Sequence, residues 1–142
     1  MTRQELAAMI DHTILKADAT HEDVRKATQI AIDCGCKSIA INGSDTKFCS
    51  LLTAGTNTLV DTAIGDFPLG RVPITCKVFE TEQAVLLGAG EIDMIMNVGA
   101  FKECAPDYLL KEVSEVVKAA KGLPVKVILE TCYLTDAEKI KA

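Results

Sequence analysis

Val125-Lys-Val-Ile-Leu-Glu130, followed by Thr135-Asp-Ala-Glu138, is the stretch on which the fold turns. The first part is an apolar run of strand length. The second pairs a threonine with a glutamate three residues on, the pattern by which a helix start satisfies its own free N–H groups. A strand leading into a helix also describes what lies upstream. Glu91-Ile-Asp-Met-Ile-Met-Asn97 reads as a strand, followed by Val98-Gly-Ala100. A helix is then predicted over 107–121, with Leu109, Leu110, Val113, Val116, Val117 and Ala120 on one stripe and Gly122 closing it. The sequence reaches Ala142 about two turns beyond the Thr135 cap. The expectation is a β/α repeat interrupted just after it restarts.

The same unit recurs toward the N-terminus. Thr2-Arg-Gln-Glu5 opens a short helix through Met9, and 10–15 reads as a short strand. Thr20 caps a helix in which Val24, Ala27, Ile30, Ala31 and Cys34 share a face, and Gly35 ends it. Ser38–Asn42 is an apolar strand, and Ser44 is the predicted cap of a helix through Leu52, closed by Gly55. Thr58–Ile64 is strand-like, Gly65–Gly70 a loop, and 74–87 a helix. Gly88-Ala-Gly90 is the turn into the strand at 91. Strands that alternate with helices imply βαβ units and a parallel sheet. The expected fold class is α/β, with residues 1–142 as a single domain. Two architectures fit: an incomplete TIM (β/α)8 barrel with five parallel strands, or a five-stranded doubly wound, flavodoxin-like sheet.

Composition narrows the function classes. Hydrophobic residues make up 49% of the chain and charged residues 25%, a globular balance. The net charge of −5, with lysines and glutamates interspersed, points away from nucleic acid, which demands clustered Lys and Arg. No apolar run reaches the ~18 residues of a membrane span, and Met1–Glu5 lacks the build of a signal peptide. No membrane partner and a cytoplasmic location are therefore expected. Six cysteines carry no C-x-x-C pair and read as free thiols. His12 and His21 are the two histidines and form no H-x-x-x-H pair, so no metal is expected. Neither glycine-rich phosphate fingerprint nor G-x-S-x-G is present.

In either architecture function lies at the carboxyl ends of the strands, and polar residues within apolar strands are the informative ones. Alternation puts Asp93, Ile95 and Asn97 on one face, and Lys126, Ile128 and Glu130 on one face of the following strand. A buried charge demands a partner. Asp93 and Lys126 are thus either a salt bridge at a sheet end or a carboxylate–lysine pair suited to proton transfer.

Four blocks resemble the deoxyribose-phosphate aldolases, in the order and spacing of that family: Ile10-Asp-His-Thr-Ile-Leu-Lys-Ala-Asp-Ala-Thr20, Phe67-Pro-Leu-Gly70, Glu91–Ala100 and Val125-Lys-Val-Ile-Leu-Glu-Thr-Cys132. The resemblance implies a TIM barrel and a lyase that needs no cofactor or metal. It also implies a small phosphorylated sugar as substrate, 2-deoxyribose 5-phosphate, cleaved reversibly to acetaldehyde and glyceraldehyde 3-phosphate through a lysine Schiff base. By motif, Asp93 matches the carboxylate of the proton relay, Asp11 and Thr13 line the substrate pocket, and Asn42 faces it. Asp66 is inserted before Phe-Pro-Leu-Gly, and Ala40 stands where many members carry Cys.

The family's Schiff-base lysine lies on the sixth strand, in a Val-Lys-Thr-Ser-Thr-Gly-like block, and its partner lysine on the seventh. Neither segment occurs in this sequence. Lys126 is the remaining candidate nucleophile, since it is the lysine in a strand core and burial lowers an ammonium pKa. The expectation is an aldolase-family chain that is inactive alone; the alternative is a non-catalytic α/β module that binds a ligand or partner. Five barrel strands would leave two open edges and an uncovered apolar inner face, so a homo-oligomer across those edges is expected.

Overall fold

Thr2, Thr20 and Thr135 each accept a hydrogen bond from the backbone N–H three residues on, while Glu5, Asp23 and Glu138 reach back to the cap. These reciprocal caps start α1 (Arg3–Ala7), α2 (His21–Cys34) and α7 (Asp136–Lys141) in a computed structural model covering residues 1–142. The remaining helices are α3 (Thr46–Leu52), α4 (Ile74–Leu87), α5 (Val98–Lys102) and α6 (Pro106–Ala119). The strands are β1 (Asp11–Ile14), β2 (Ser38–Asn42), β3 (Leu59–Ile64), β4 (Glu91–Ile95) and β5 (Val125–Ile128). Gly35 and Gly88 end α2 and α4 at φ 68° and 98°, the left-handed conformation that glycine adopts without strain.

All neighbouring strands are parallel, and their order is β1-β2-β3-β4-β5. That order chooses between the two architectures. A doubly wound sheet reverses its strand order at a switch point and carries helices on both faces. Here the order never reverses, so right-handed crossovers lay every connecting helix on the same face. The flavodoxin-like alternative is excluded, and the sheet is a five-stranded arc of a β/α barrel.

Two apolar clusters lie between that face and its helices. One cluster joins Ile39, Ile41 and Val60 to Val24, Ala27 and Ala31 of α2 and Cys49 of α3. A second joins Ile64, Ile92 and Met94 to Ala84 of α4 and Val116 of α6. Ile39, Ile41, Ile92 and Met94 are 0% exposed, and each such side chain contributes about 1.5–3 kcal/mol. No helix is long and apolar enough to cross a membrane.

Several expectations need correction. On α2 the buried stripe includes Thr28 and leaves Ile30 and Cys34 exposed. On α6, Leu110 and Val117 face solvent while Glu112 is buried. Ser44 caps nothing: Gly43–Asp45 forms a 3-10 turn before α3. The segment after β4 folds into α5, capped by Asn97 accepting from the Ala100 N–H. Glu130 leaves the strand face because β5 ends at Ile128 and the backbone turns at Glu130 with φ 52°. The inner face of the arc is not apolar: it carries Asp11, Asp61, Glu91, Asp93 and Lys126.

Candidate active site

Strand alternation and register place the polar strand residues in rows across the inner face. Asp11 pairs with Ser38 and Thr13 with Ala40; Ala40 pairs with Asp61, and Asp61 with Glu91. Asn42, Ala63, Asp93 and Lys126 form the next row. Four carboxylates and a lysine thus share a face whose other side is hydrocarbon.

Lys126 is the hub. Its Nζ donates to Asp11 Oδ2 at 2.6 Å and to Asp61 Oδ2 at 2.7 Å. It lies 3.2 Å from Glu91 Oε1 and 3.1 Å from Asp93 Oδ1. The contact with Asp11 measures the shape of the sheet. β5 and β1 are its opposite edges, which a flat sheet would hold about 19 Å apart at 4.8 Å per strand. No lysine–aspartate pair bridges that distance, so the arc is curled as in a closed barrel.

Each carboxylate is compensated differently. Asp11 also accepts from Ser38 Oγ at 2.6 Å. Burial works against its charge, but the bonds from Lys126 and Ser38 prevail and hold its pKa below the usual value. Both oxygens of Glu91 lie 2.8 Å from Lys37 Nζ, and that contact raises the Lys37 pKa. Asp61 is 0% exposed and has one oxygen without any partner. Burial, with Asp93 and Glu91 nearby, pushes its pKa up to about 7 against the pull of Lys126. For Lys126, burial disfavours the ammonium, but the bonds to Asp11, Asp61 and Asp93 outweigh it and raise the pKa above the ordinary lysine value. The sequence-based expectation ran the other way, since burial alone would lower it.

Oxygens of Asp11, Asp61 and Glu91 lie within 4.8 Å of one another, close enough to surround a cation. The Lys126 ammonium already touches all three, so the positive charge among them is the lysine's own.

No family model matches the chain. Individual proteins do. It is 44% identical over 142 residues to the deoxyribose-phosphate aldolase of Dictyoglomus turgidum, covering 100% of this chain and 64% of that protein. It is 46% identical over 142 residues to the deoxyribose-phosphate aldolase of Carboxydothermus hydrogenoformans, covering 97% of this chain and 62% of that one. Along its whole length the chain matches the deoxyribose-phosphate aldolases. It spans less than two thirds of the length of these relatives. Among solved structures, the tetrameric deoxyribose phosphate aldolase of Aeropyrum pernix superposes with a TM-score of 0.86 at 34% identity, covering 96% of this chain and 57% of that one. The aldolase QR15 superposes with a TM-score of 0.91 at 30% identity, covering 97% of this chain and 61% of that one.

Within this aldolase-like chain, the structure brings Asp11, Asp93 and Lys126 to one point. It does not bring Thr13 and Asn42 there. The Thr13 hydroxyl donates to the Asp11 carbonyl at 2.9 Å, and the residue lines a cleft of about 390 Å³ with Lys16 and Asp18. Asn42 lines a different cleft of about 360 Å³ with Phe67, Phe79 and Glu80. Sequence reasoning missed Asp61, Glu91 and Lys37. A charged residue within Leu59-Val-Asp-Thr-Ala-Ile64 is the same signal that singled out Asp93.

Proposed function

We propose that this chain forms the first five β/α units of a deoxyribose-phosphate aldolase. The reaction is the reversible cleavage of 2-deoxy-D-ribose 5-phosphate to acetaldehyde and D-glyceraldehyde 3-phosphate. A lysine amine condenses with the sugar carbonyl with loss of water, and the resulting iminium accepts the electron pair of the breaking carbon–carbon bond. Asp93 is the carboxylate of the proton relay, and Asp11 faces the substrate beside it. The observation that carries this reading is the match to the aldolases along the whole chain, with Asp93 on the concave face 3.1 Å from Lys126 Nζ.

Lys126 is not the nucleophile in this proposal. Attack requires a free amine, and the surrounding carboxylates hold Lys126 as an ammonium. Lys77, though fully buried, is ion-paired with Glu112 on the helix side of the sheet. The resemblance puts the Schiff-base lysine on a later strand, outside these residues, and the chain contributes relay and binding groups. In the absence of that later portion, the chain by itself pairs with further copies across its open edges at β1 and β5.

The test is complementation. The chain alone, treated with deoxyribose 5-phosphate and borohydride, should show no sugar adduct by intact mass. Refolded with the portion of the Dictyoglomus turgidum aldolase outside the match, it should gain cleavage activity and an adduct on that portion. Asp93→Asn should lower kcat of the assembly roughly 10²–10⁴-fold, the usual loss for an acid–base group. An adduct on Lys126, or full activity with Asp93→Asn, overturns the assignment.

A further inference from the structure

The inner-face cluster holds four carboxyl groups, Asp11, Asp61, Glu91 and Asp93, but two ammonium groups, Lys126 and Lys37. With every group ionised it would carry two uncompensated negative charges on a partly buried surface, an expensive arrangement. A proton on one carboxyl relieves it, and local geometry selects which. Glu91 has Lys37 across both oxygens at 2.8 Å. Asp11 has the Ser38 hydroxyl in addition to Lys126. Asp93 keeps 18% of its side chain in solvent. Asp61 has none of these: it is 0% exposed and shares Lys126 with three other acids.

We infer that Asp61 is the proton-carrying carboxyl of this cluster and a positioning residue for Asp93. Neutral, it leaves the Lys126 ammonium to Asp11 and Asp93; ionised, it draws that ammonium to itself and adds a negative charge beside Asp93. The role rests on the reading of Asp93 as the relay carboxylate. The elevated Asp61 pKa of about 7 agrees, with burial as its largest cause and Asp93 and Glu91 adding to it. The exchange between the two states thus falls near neutral pH, with the proton passing to and from solvent.

The groups facing Asp61 are accounted for on every side. Across the inner face they are Asp11, Glu91, Asp93 and Lys126, with Lys37 beyond Glu91. On the opposite face α3 and α4 pack against β3. Their ionisable groups there are engaged elsewhere: Cys49 with Thr28, Lys77 with Glu112, and Glu80 with the Gly65 N–H. Asp45, in the adjoining 3-10 turn, pairs with His21. Lys126 is therefore the cation whose sharing Asp61 controls.

Carboxyl-carbon NMR of the aspartates, recorded against pH on the 142-residue chain, decides the point. Asp61 should titrate with a midpoint between about pH 6 and 8, against about 3.9 for a free aspartate. The Asp93 signal should show a second, smaller step at that midpoint. Asp61→Asn mimics the neutral form and should abolish the Asp93 step. Asp93→Asn is the reciprocal arm and does not depend on how well Asp61→Asn folds. Loss of the neighbouring charge should lower the Asp61 midpoint by about one unit, a tenfold change in its proton affinity. An Asp61 midpoint near 4 overturns the inference, as does an Asp93 signal with no step there or an Asp61 midpoint unmoved by Asp93→Asn. In the complemented enzyme, Asp61→Asn should also remove a limb near neutrality from the pH profile of kcat. If Asp93→Asn leaves turnover intact, the relay reading fails while the NMR titrations still decide the charge state of Asp61.

Discussion

At the scale of single residues, the site is a problem in sharing one ammonium among four acids. Asp61 and Asp11 sit beside the same Lys126, yet their pKa values move in opposite directions because one is sealed from water and the other also meets Ser38. The two therefore act oppositely on stability. Asp11, with a lowered folded pKa, contributes stability above its unfolded value of 3.8 that is lost as pH falls. Asp61, raised from 3.8 to about 7, retains a proton that the unfolded chain has already released, so its burial costs more as pH rises through that window. Asp61→Asn cannot ionise. Relative to the parent, its unfolding free energy should gain on the order of 2–4 kcal/mol between about pH 4 and pH 8, from roughly three units at 1.36 kcal/mol each, discounted for the shared Lys126. Urea titrations at those pH values measure it, and a parallel pair of stability curves would contradict the assignment. Asp93 and Lys126 were legible in the sequence because charges interrupt their apolar strands. Asp61 was legible by the same rule. What the sequence withheld was the convergence: residues 11, 61, 91 and 126 meet only through strand register and curvature.

Among the elements, caps and periodicity located the helices well, because a capping threonine or a terminal glycine acts within one turn. Which face each helix buries was less legible. The α6 stripe read from hydrophobicity included Leu110 and Val117, which are exposed, and left out Glu112, which is 0% exposed. The cause is a pairing between helices that periodicity cannot express. Lys77 on α4 is also 0% exposed; its Nζ lies 2.9 Å from Glu112 Oε1 and donates to the Ile95 carbonyl at 2.6 Å. Glu112 Oε2 in turn accepts from the Asn97 N–H at 3.2 Å. This pair ties α4 and α6 to the end of β4. Removing one partner strands a buried charge, whereas removing both does not. Lys77→Met alone should cost about 3–5 kcal/mol in chemical denaturation, and the double variant Lys77→Met, Glu112→Leu should recover most of it. If the double variant is as unstable as the sum of the singles, the pair is not coupled.

For the whole molecule, the helix side is largely apolar apart from the Lys77–Glu112 pair and the concave side is charged, so the arc is held in shape from within. Lys126 reaches from β5 to Asp11 on β1 at 2.6 Å and touches β3 and β4 on the way, fixing a curvature that apolar packing on the convex face alone would leave loose. Curvature does nothing for the edges. β5 has β4 as its neighbour and no strand beyond. Pro124 and Ile128 accept from the Ile92 and Met96 N–H groups, so the even-numbered residues of β5 turn toward β4 and the N–H groups of Val125 and Val127 point away from the sheet. An edge of free N–H and C=O groups is a template for another chain. Proline at such an outward position removes the donor while leaving the ladder to β4 untouched. Light scattering should thus give the parent a mass that is a multiple of 15.2 kDa. Val127→Pro should shift it toward the monomer with its far-ultraviolet circular dichroism preserved. A monodisperse parent at 15.2 kDa would mean that these edges stay unpaired. A Val127→Pro oligomer as stable as the parent's would place the interface elsewhere, on β1 or the helices.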